Sequence, residues 1–543
     1  MESQNESSDM LSDSYFVPPP LEVATMRQQI PPMMTEISEL RSRLKELEGR
    51  VYRCRSATSP LRRVPPEILG EIFQDAMGSA AITFKRKKDL TAILLVCKKW
   101  RDAAYLTGEL WGCISLRLPR TRQMSYEKVS NWMGRSKGFP KTLQIEYNSG
   151  GCQAMGECEL AAPWLVKLLV DGPPLHRLEI LFLPSHCFQG LMDSVEDHVD
   201  GHDLTKSSWS QLQELKLQLE IIRPETFEMG GEDVSQSVFR HIPPLSSLSL
   251  FLGPKECSKS PWTHHIYLPP TSLQTLTTFN LDCGYDGPQI FVFLQHCKSL
   301  QTLYLGLELA YWTWNPENVN VPSLSGDPGC IILPNLRTLT IGVSTVQTAE
   351  KLGKHLRIPS LLDLHVKQWG KTTDYSDILI ALSPIWVQRT TIMRSLTLQG
   401  RTGYGYSKLS AKELTDILSR CGNITHFATS FGFSAKDFLE LQNLGDSMRL
   451  LPSLEHLEIT HIRADFDLES FFQYIEHRRV VQPNDDGQAD RLKMLTLSGH
   501  PGLDHGQVNQ LAQAYRESSY PKLLGESFGI GVNFLPWGYP VDT

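Results

Sequence analysis

The stretch LQTLYL at residues 300–305 decides the fold. Within it, Leu303 and Leu305 alternate with other residues, which is the period of a β-strand that buries one face. Leu300 stands three residues ahead, where it can tuck under the preceding turn. Close variants of this leucine-x-x-leucine-x-leucine phrase begin at Leu175, Leu212, Leu245, Leu300, Leu336, Leu361, Met393, Leu454 and Leu492. Weaker copies lie at Leu143, Phe279 and Ile424. The sequence therefore predicts a series of short, similar strands.

The spacing of the copies indicates the architecture. Counted between middle positions, the steps run from 24 residues (279 to 303) to 38 residues (457 to 495), which equals or exceeds the roughly 20 to 29 residues of leucine-rich repeats. Helical patterns fill intervals at residues 289–297, 410–418, 468–477 and 508–515, the second with Ser410 placed as N-cap. The predicted fold class is α/β, an N-terminal helical module followed by an irregular leucine-rich-repeat solenoid with a curved parallel sheet. We assign the solenoid to residues 139–520 and a C-terminal cap to residues 521–543.

Residues 60–116 predict the helical module. Ile68 and Ile72 lie on one apolar face of a first helix, and Pro66 suits its first position, because the donor that proline lacks would be unpaired there anyway. A second apolar helix follows near residues 90–100. Two short helices cannot bury this much apolar surface against each other, and such a surplus usually marks a docking surface.

Short motifs in this module carry a family resemblance. They are Val64-Pro65-Pro66-Glu67-Ile68-Leu69 with Ile72-Phe73, then Asp89-Leu90, Val96-Cys97-Lys98-Lys99-Trp100-Arg101 and a closing Leu110-Trp111. Together they resemble an F-box. Val64 stands where the family usually has leucine, and the segment 78–88 lengthens the loop between the two halves.

The resemblance implies a three-helix module that binds the Skp-type adaptor of a cullin-RING ubiquitin ligase. Carried over by position, the adaptor-binding residues are Pro65, Glu67, Ile68, Leu69, Ile72, Phe73, Val96, Cys97 and Trp100. Apolar anchors at helical spacing suit a contact in which a helix docks in a groove. Each of these residues could instead be an ordinary core residue.

Two segments precede the module. Residues 1–32 are rich in Ser, Glu, Asp and Pro, and prolines at 18–20 and 31–32 should end any helix, so we predict a disordered tail. Residues 33–58 predict a short helix with about three heptads; its apolar row is Met33, Ile37, Leu40, Leu44, Leu47, Val51 and Cys54. Two interpretations remain, a dimerising coiled coil or, as we favour, a lone helix that packs back on the next module.

The solenoid offers a surface for a target. In each repeat phrase, the positions between the apolar residues point to the exposed side of the sheet. Exposed Tyr, Trp and Arg often carry interface energy. The candidate target-binding residues are Arg177, Lys216, Tyr304, Arg337, His365 and Glu458, with Trp312 and Trp314 just beyond one strand.

Composition narrows the function classes. The net charge of −7 and pI near 6.2 argue against general affinity for nucleic acid. The 11 cysteines include no Cys-x-x-Cys pair, which fits reduced thiols in the cytoplasm or nucleus. The longest apolar runs are too short to span a membrane. Neither a complete phosphate-binding loop, a zinc-finger spacing nor a Gly-x-Ser-x-Gly elbow occurs.

We therefore expect a non-catalytic protein without cofactor or metal. The leading hypothesis is a substrate receptor that joins a Skp-type adaptor and its cullin-RING ligase to a target protein of unknown identity. The alternative is an interaction scaffold in which the F-box-like module is structural or acts without a ligase.

Overall fold

The computed structural model divides the chain into two compact units. It describes residues 19–77, 84–118, 125–147, 158–199, 207–220, 239–240, 242–253, 268–283, 287–307, 330–368, 375–385, 392–400, 411–419, 421–430, 440–441, 451–462, 466–480, 491–499 and 505–535. Met1–Ala80 with Asp89–Thr107 forms the helical unit, and Ala81–Lys88 with Gly108–Thr543 forms the repeat unit. Across these described residues, every helix is too short or too polar to cross a bilayer.

The first helix of the helical unit begins earlier than the sequence predicts. Helix α1 spans Pro20–Thr58 and contains Pro31 and Pro32, so the expectation of a disordered tail up to residue 32 is wrong for residues 20–32. Proline fixes φ at a helical value, but it lacks a backbone donor and its ring crowds the carbonyl four residues earlier, which weakens a helix without ruling it out. On an exposed helix, the carbonyls left without a donor can bond to water. Residues 1–18 of the predicted tail lie outside the described residues.

Three further helices lie wholly or mainly in this unit, α2 at Pro66–Met77, α3 at Phe84–Val96 and α4 at Lys98–Leu106. The first residues of α3, 84–88, are assigned to the repeat unit. Helix α2 begins at Pro66, as the sequence predicts. Its buried residues Leu69 and Phe73 are 1% and 2% exposed. The Phe73 and Trp100 rings lie 5.0 Å apart between centroids. A Cβ added at Gly70 would overlap Thr107 Oγ1, so α2 and the end of α4 approach closely.

Within the described residues, the repeat unit is built on a parallel sheet of 14 strands that follow one another in chain order. The strands are β1 Cys113–Leu118, β2 Thr142–Tyr147, β3 Arg177–Pro184, β4 Glu214–Glu220, β5 Ser247–Gly253, β6 Thr278–Cys283, β7 Thr302–Leu307, β9 Thr338–Val343, β11 Asp363–Gln368, β12 Ser395–Gln399, β13 His426–Thr429, β14 His456–Ile462, β15 Met494–Gly499 and β16 Gly531–Leu535. Two short strands, β8 Ile331–Ile332 and β10 Leu356–Arg357, pair separately. The predicted α/β class with a parallel-sheet solenoid is confirmed.

Helices occupy the intervals between strands. They are α5 Tyr126–Gly134, α6 Pro163–Asp171, α7 Ser185–Val199, α8 Pro270–Gln274, α9 Gly287–Leu294, α10 Val346–His355, α11 Tyr375–Leu382, α12 Ala411–Leu418, α13 Leu468–Val480 and α14 His505–Glu517. Four of them, α9, α12, α13 and α14, coincide with the predicted helical patterns. The predicted N-cap Ser410 lies outside the described residues.

The sheet extends beyond the predicted solenoid at both ends. Strand β1 pairs in parallel with β2, from Cys113 opposite Thr142 to Leu118 opposite Tyr147. The sheet therefore begins about 26 residues before residue 139 (139 − 113) and inside the segment assigned to the helical module. At the other end, β16 pairs with β15, so part of the predicted cap is a strand of the sheet itself.

The repeat phrase explains the register. The apolar residues of each phrase stack strand upon strand into continuous buried rows. Leu303, for example, lies beside Phe279 and Leu339, and all three are 0% exposed. Each strand thus contacts its two neighbours through similar side chains, which is how neighbouring repeats stabilise one another.

Candidate functional site

The face of the sheet opposite the buried rows carries two parallel rows of mainly polar side chains. We call each row a ladder and this side of the sheet the ladder face. The first ladder is Thr142, Arg177, Glu214, Ser247, Thr278, Thr302, Thr338, Asp363, Ser395, His426, His456 and Met494. The second ladder is Gln144, Glu179, Lys216, Ser249, Asn280, Tyr304, Thr340, His365, Thr397, Ala428, Glu458 and Thr496. Strand alternation places both rows on the face predicted to meet a target.

Ion pairs occupy the beginning of this face. The Arg177 guanidinium lies 2.7 Å from Glu179 Oε1 and 3.1 Å from Glu214 Oε2. His176 Nε2 lies 3.4 Å from the other oxygen of Glu214. Lys216 Nζ stands 5.5 Å from the ring centroid of Phe251. Arg177 and Lys216, both predicted target contacts, already have partners within the chain, so a target must compete for their charge or join the cluster.

Neutral hydrogen-bonding groups dominate the middle of the face. Asn280 Nδ2 donates to Ser249 Oγ across 2.9 Å. Lys367 Nζ stands 5.9 Å from the ring of Tyr304, and burial lowers the pKa of this lysine. The predicted contact Tyr304 is half-buried and is positioned beside a cation that the sequence analysis did not nominate.

Histidines gather at the far end. The His426 and His456 rings stack with centroids 4.5 Å apart and planes 6° apart. His426 Nε2 lies 3.5 Å from Glu458 Oε2, and His456 Nε2 is 2.8 Å from Thr496 Oγ1. Burial, followed by the charge of His426, lowers the pKa of His456. Burial also lowers the pKa of His365. The imidazoles of His456 and His365 therefore favour their neutral form.

This group is the candidate metal-binding set. His426, His456 and Glu458 each offer one ligand atom, and these atoms lie within 4.8 Å of one another. Two imidazoles and a carboxylate suit zinc and several other divalent ions.

Sequence reasoning placed some target candidates correctly on this face and missed others. Arg177, Lys216, Tyr304, His365 and Glu458 all lie on the ladders. Arg337 instead precedes β9, where its carbonyl accepts from the backbone of Leu362 and Asp363. Trp312 and Trp314 lie outside the described residues. His426 and His456 were missed, although each directly precedes the second apolar residue of its phrase, in THF and EHL.

The helical unit presents a separate surface. Of the predicted adaptor contacts, Ile68, Ile72 and Val96 are 43%, 45% and 57% exposed, and Pro65, Glu67 and Cys97 are exposed as well. Trp100 is half-buried against Phe73.

Two of the predicted adaptor contacts are buried, and two exposed apolar residues of this unit were not nominated. Leu69 and Phe73 belong to the core of the unit and have almost no accessible surface, because the apolar face of α2 is wide enough to serve both core and surface. Leu95 and Leu106, which were not nominated, are 77% and 61% exposed.

Comparisons with known proteins support the sequence resemblance. A family model described as F-box-like matches residues 61–117. The match crosses the boundary between the units, since residues 108–117 belong to the repeat unit. No curated protein matches the chain.

Among solved structures, 25 chains match. One is the crystal structure of a TLR13-ssRNA13 complex, with 16% identity and a TM-score of 0.30. The match covers 72% of this chain and 48% of that chain.

Proposed function

We propose that this chain, which carries an F-box-like domain at residues 61–117 ahead of a parallel-sheet repeat array, is the substrate-recognition subunit of a cullin-RING ubiquitin ligase. Its helical unit binds a Skp-type adaptor, and the ladder face of its sheet binds the target protein. The observation that carries the proposal is the set of apolar side chains that the F-box-like helices leave exposed.

The adaptor proposal rests on the difference between two faces of α2. Leu69 and Phe73 are buried in the core of the helical unit. Ile68 and Ile72, one turn apart on the same helix, remain 43% and 45% exposed. A pair of exposed apolar residues at i and i+4 is a typical anchor for docking a helix against a partner. Val96 adds a third exposed apolar group at the end of α3.

The target proposal rests on the length and chemistry of the ladder face. Its side chains are charged at the beginning, hydroxyl-bearing and amide-bearing in the middle, and imidazole-bearing at the far end. A polar face of this kind favours a protein surface recognised through hydrogen bonds and charge pairs over a small apolar ligand. In this proposal the chain performs no chemistry and brings a target lysine close to the ligase enzyme.

The same proposal covers location and assembly. A receptor for this machinery would work in the cytoplasm or nucleus, where thiols stay reduced. The long N-terminal helix would make the receptor multimeric through a coiled coil.

The competing proposal is an interaction scaffold that binds the adaptor, or another partner, without a ligase.

Adaptor binding tests the proposal. We expect full-length protein to retain a purified Skp-type adaptor and, with it, a cullin. Ile72→Lys should weaken retention at least about 100-fold, because a lysine head cannot enter an apolar groove without losing hydration. Glu71→Lys adds the same side chain about 100° away around the helix and should keep most of the binding. Affinity is measured by biolayer interferometry.

A footprint on Cys97 adds an independent readout. Cys97 is exposed in the free chain, so it should react with iodoacetamide and become protected when the adaptor binds. Cys297 is the internal control, because it is buried and burial raises the pKa of its thiol to about 12. Failure to retain the adaptor would overturn the receptor proposal. Retention of the adaptor without cullin would favour the scaffold instead.

A further inference from the structure

Helix α1 presents a continuous apolar row that the described part of the chain leaves uncovered. Ile30, Met33, Leu40 and Leu44 are 55%, 57%, 60% and 57% exposed. Ile37, Leu47 and Val51 follow at 42%, 46% and 50%. The favoured interpretation, that this helix packs its row on the next module, is therefore wrong. Most helical stability in proteins comes from packing an apolar face, and this helix also contains Pro31 and Pro32, which weaken it.

The earlier start of the helix lengthens the heptad pattern from about three repeats to five. The seam now begins at Val23 instead of Met33. The a positions are Val23, Ile30, Ile37, Leu44 and Val51, and the d positions are Met26, Met33, Leu40, Leu47 and Cys54. Four of the five a residues are β-branched, and leucine or methionine fills four of the five d positions. β-branched residues at a with leucine at d favour two parallel strands.

The flanking charges agree with a parallel pair. In a parallel dimer, each g residue faces the next e residue of the second copy. Three of these contacts join opposite charges and one joins like charges. The attractive pairs are Glu22 with Arg27, Glu36 with Arg41 and Arg43 with Glu48, and the repulsive pair is Arg50 with Arg55.

An antiparallel dimer would place these charges less favourably. In an antiparallel dimer, the e residues of one helix face the e residues of the other. Three of the five e positions of this helix are arginines, Arg27, Arg41 and Arg55. Like charges would then meet along one side of the seam. Pro31 and Pro32 fall at b and c, on the face away from the partner, so their rings do not obstruct either pairing.

We propose that α1 joins two copies of this chain into a parallel, in-register, two-stranded coiled coil. The seam runs from Val23 to Cys54, about 47 Å at 1.5 Å per residue. The second copy supplies the packing that the isolated helix lacks, and the apolar row explains why the helix persists through two prolines.

Mass measurement of the full-length chain tests the dimer. Light scattering should report twice the 61.4 kDa of one chain. Leu40→Glu with Leu44→Glu puts four carboxylates into the seam of the dimer and should raise its dissociation constant at least about 100-fold. Ser38→Glu with Ser42→Glu adds the same charges at b and f, outside the seam, and should leave the dimer intact. A monomeric wild-type chain, a trimer, or equal effects of the two double variants would overturn the proposal.

Cys54 tests orientation and register. Its thiol is free and exposed in one chain, and a parallel in-register dimer places two copies at the same level of the seam. A disulfide needs Cα atoms about 4.4–6.8 Å apart. Diamide, which accepts the two electrons, should therefore cross-link wild type but not Cys54→Ser. In an antiparallel dimer, the two cysteines would lie tens of ångströms apart, so a dimer without this cross-link would overturn the parallel arrangement.

A different observation, at the histidine end of the ladder face, carries a second proposal. Glu458 is a carboxylate only 8% exposed, and His426 Nε2 lies 3.5 Å from its Oε2. That nitrogen is itself buried without a hydrogen bond. His456 lies two residues before Glu458 on β14. His426, on β13, is the direct strand partner of His456. We infer that His426, His456 and Glu458 bind a divalent ion, zinc above all.

The chemistry of the three ligands fits that ion. Two histidines and one glutamate form a set that zinc uses in proteins with a further position left open. A cation would give the buried Glu458 carboxylate its counter-charge and give His426 Nε2 its missing partner. Because the set lies on the ladder face, the open position would be available to a carboxylate or imidazole of a target protein.

Zinc titration of the chelator-treated full-length chain tests this site. We expect His426→Ala and His456→Ala each to lose one equivalent of bound zinc, measured by calorimetry and by metal content after gel filtration. His365→Ala is the matched control, since it removes another half-buried histidine of the same face and should keep the full stoichiometry. Unchanged stoichiometry in His426→Ala, or equal loss in all three variants, would overturn the proposal and leave a histidine–carboxylate pair in its place.

Discussion

Phe73→Ala should destabilise the helical unit by about 3–5 kcal/mol, the range for truncating a buried aromatic residue. Phe73 is 2% exposed, and its ring lies 5.0 Å from that of Trp100. Truncation would leave a cavity between α2 and α4 and remove this aromatic contact. The free energy of opening is measured by native-state hydrogen exchange, followed in peptides from residues 66–106, so that the effect is assigned to this unit.

The neighbouring residue provides the control. Ile72 is 45% exposed, so Ile72→Ala should change the opening free energy by less than about 1 kcal/mol while weakening adaptor binding. Equal destabilisation by Phe73→Ala and Ile72→Ala would contradict the division of α2 into a core face and a docking face.

Trp111→Ala should cost a similar amount, about 3–5 kcal/mol, in the first strands of the repeat unit. The Trp111 side chain is 0% exposed and meets the Trp132 ring edge-on at 4.9 Å. The Arg135 guanidinium lies 4.6 Å from the Trp111 ring. Trp111→Phe should retain part of this stability, because it keeps a ring in the same space.

The same experiment shows how far the damage spreads. Each strand pairs only with its neighbours, so contacts are lost mainly near the end of the array. Hydrogen exchange should therefore accelerate in β1 and β2, while β14 and β15 keep their protection. Uniform acceleration along the sheet would show instead that the repeat unit unfolds as a single cooperative block.

The repeat phrase predicted most of the sheet because its signal is local. The spacing of Leu300, Leu303 and Leu305 predicts both a strand and the face that the strand buries, and the other copies have the same spacing. Strand β1 escaped prediction because Cys113–Leu118 begins inside the stretch that resembles an F-box. The family match itself crosses into the repeat unit there, so a motif boundary did not coincide with a structural boundary.

The start of α1 could not be predicted from local rules. Pro31 and Pro32 are strong helix breakers when considered alone, whereas the heptad pattern that runs through them is a property of the whole helix. The pattern upstream of Met33 was already present at Val23, Met26 and Ile30, but the prolines concealed its continuity.

The ladder face was predictable in outline and not in its pairings. Alternation alone identified Arg177 and Glu458 as exposed-face residues. The contacts of Arg177 with Glu214 and of Glu458 with His426 join different strands. His426 and His456 are 30 residues apart in sequence (456 − 426) and become neighbours only through the register of β13 and β14. Sequence periodicity gives the face of a residue, and strand pairing gives its partners.

The unbroken order of the sheet also sets a scale for the target. The ladders cover 12 strands of the sheet, from β2 to β15, which makes 11 steps, and adjacent strands lie about 4.8 Å apart. The ladders therefore extend roughly 53 Å along the sheet. A fully extended peptide covers at most about 3.3–3.6 Å per residue, so a segment of roughly 15 residues would be needed to contact them from end to end. A short linear motif would contact the ladder residues of only a few strands, whereas a folded target could contact the ladder residues of distant strands at once.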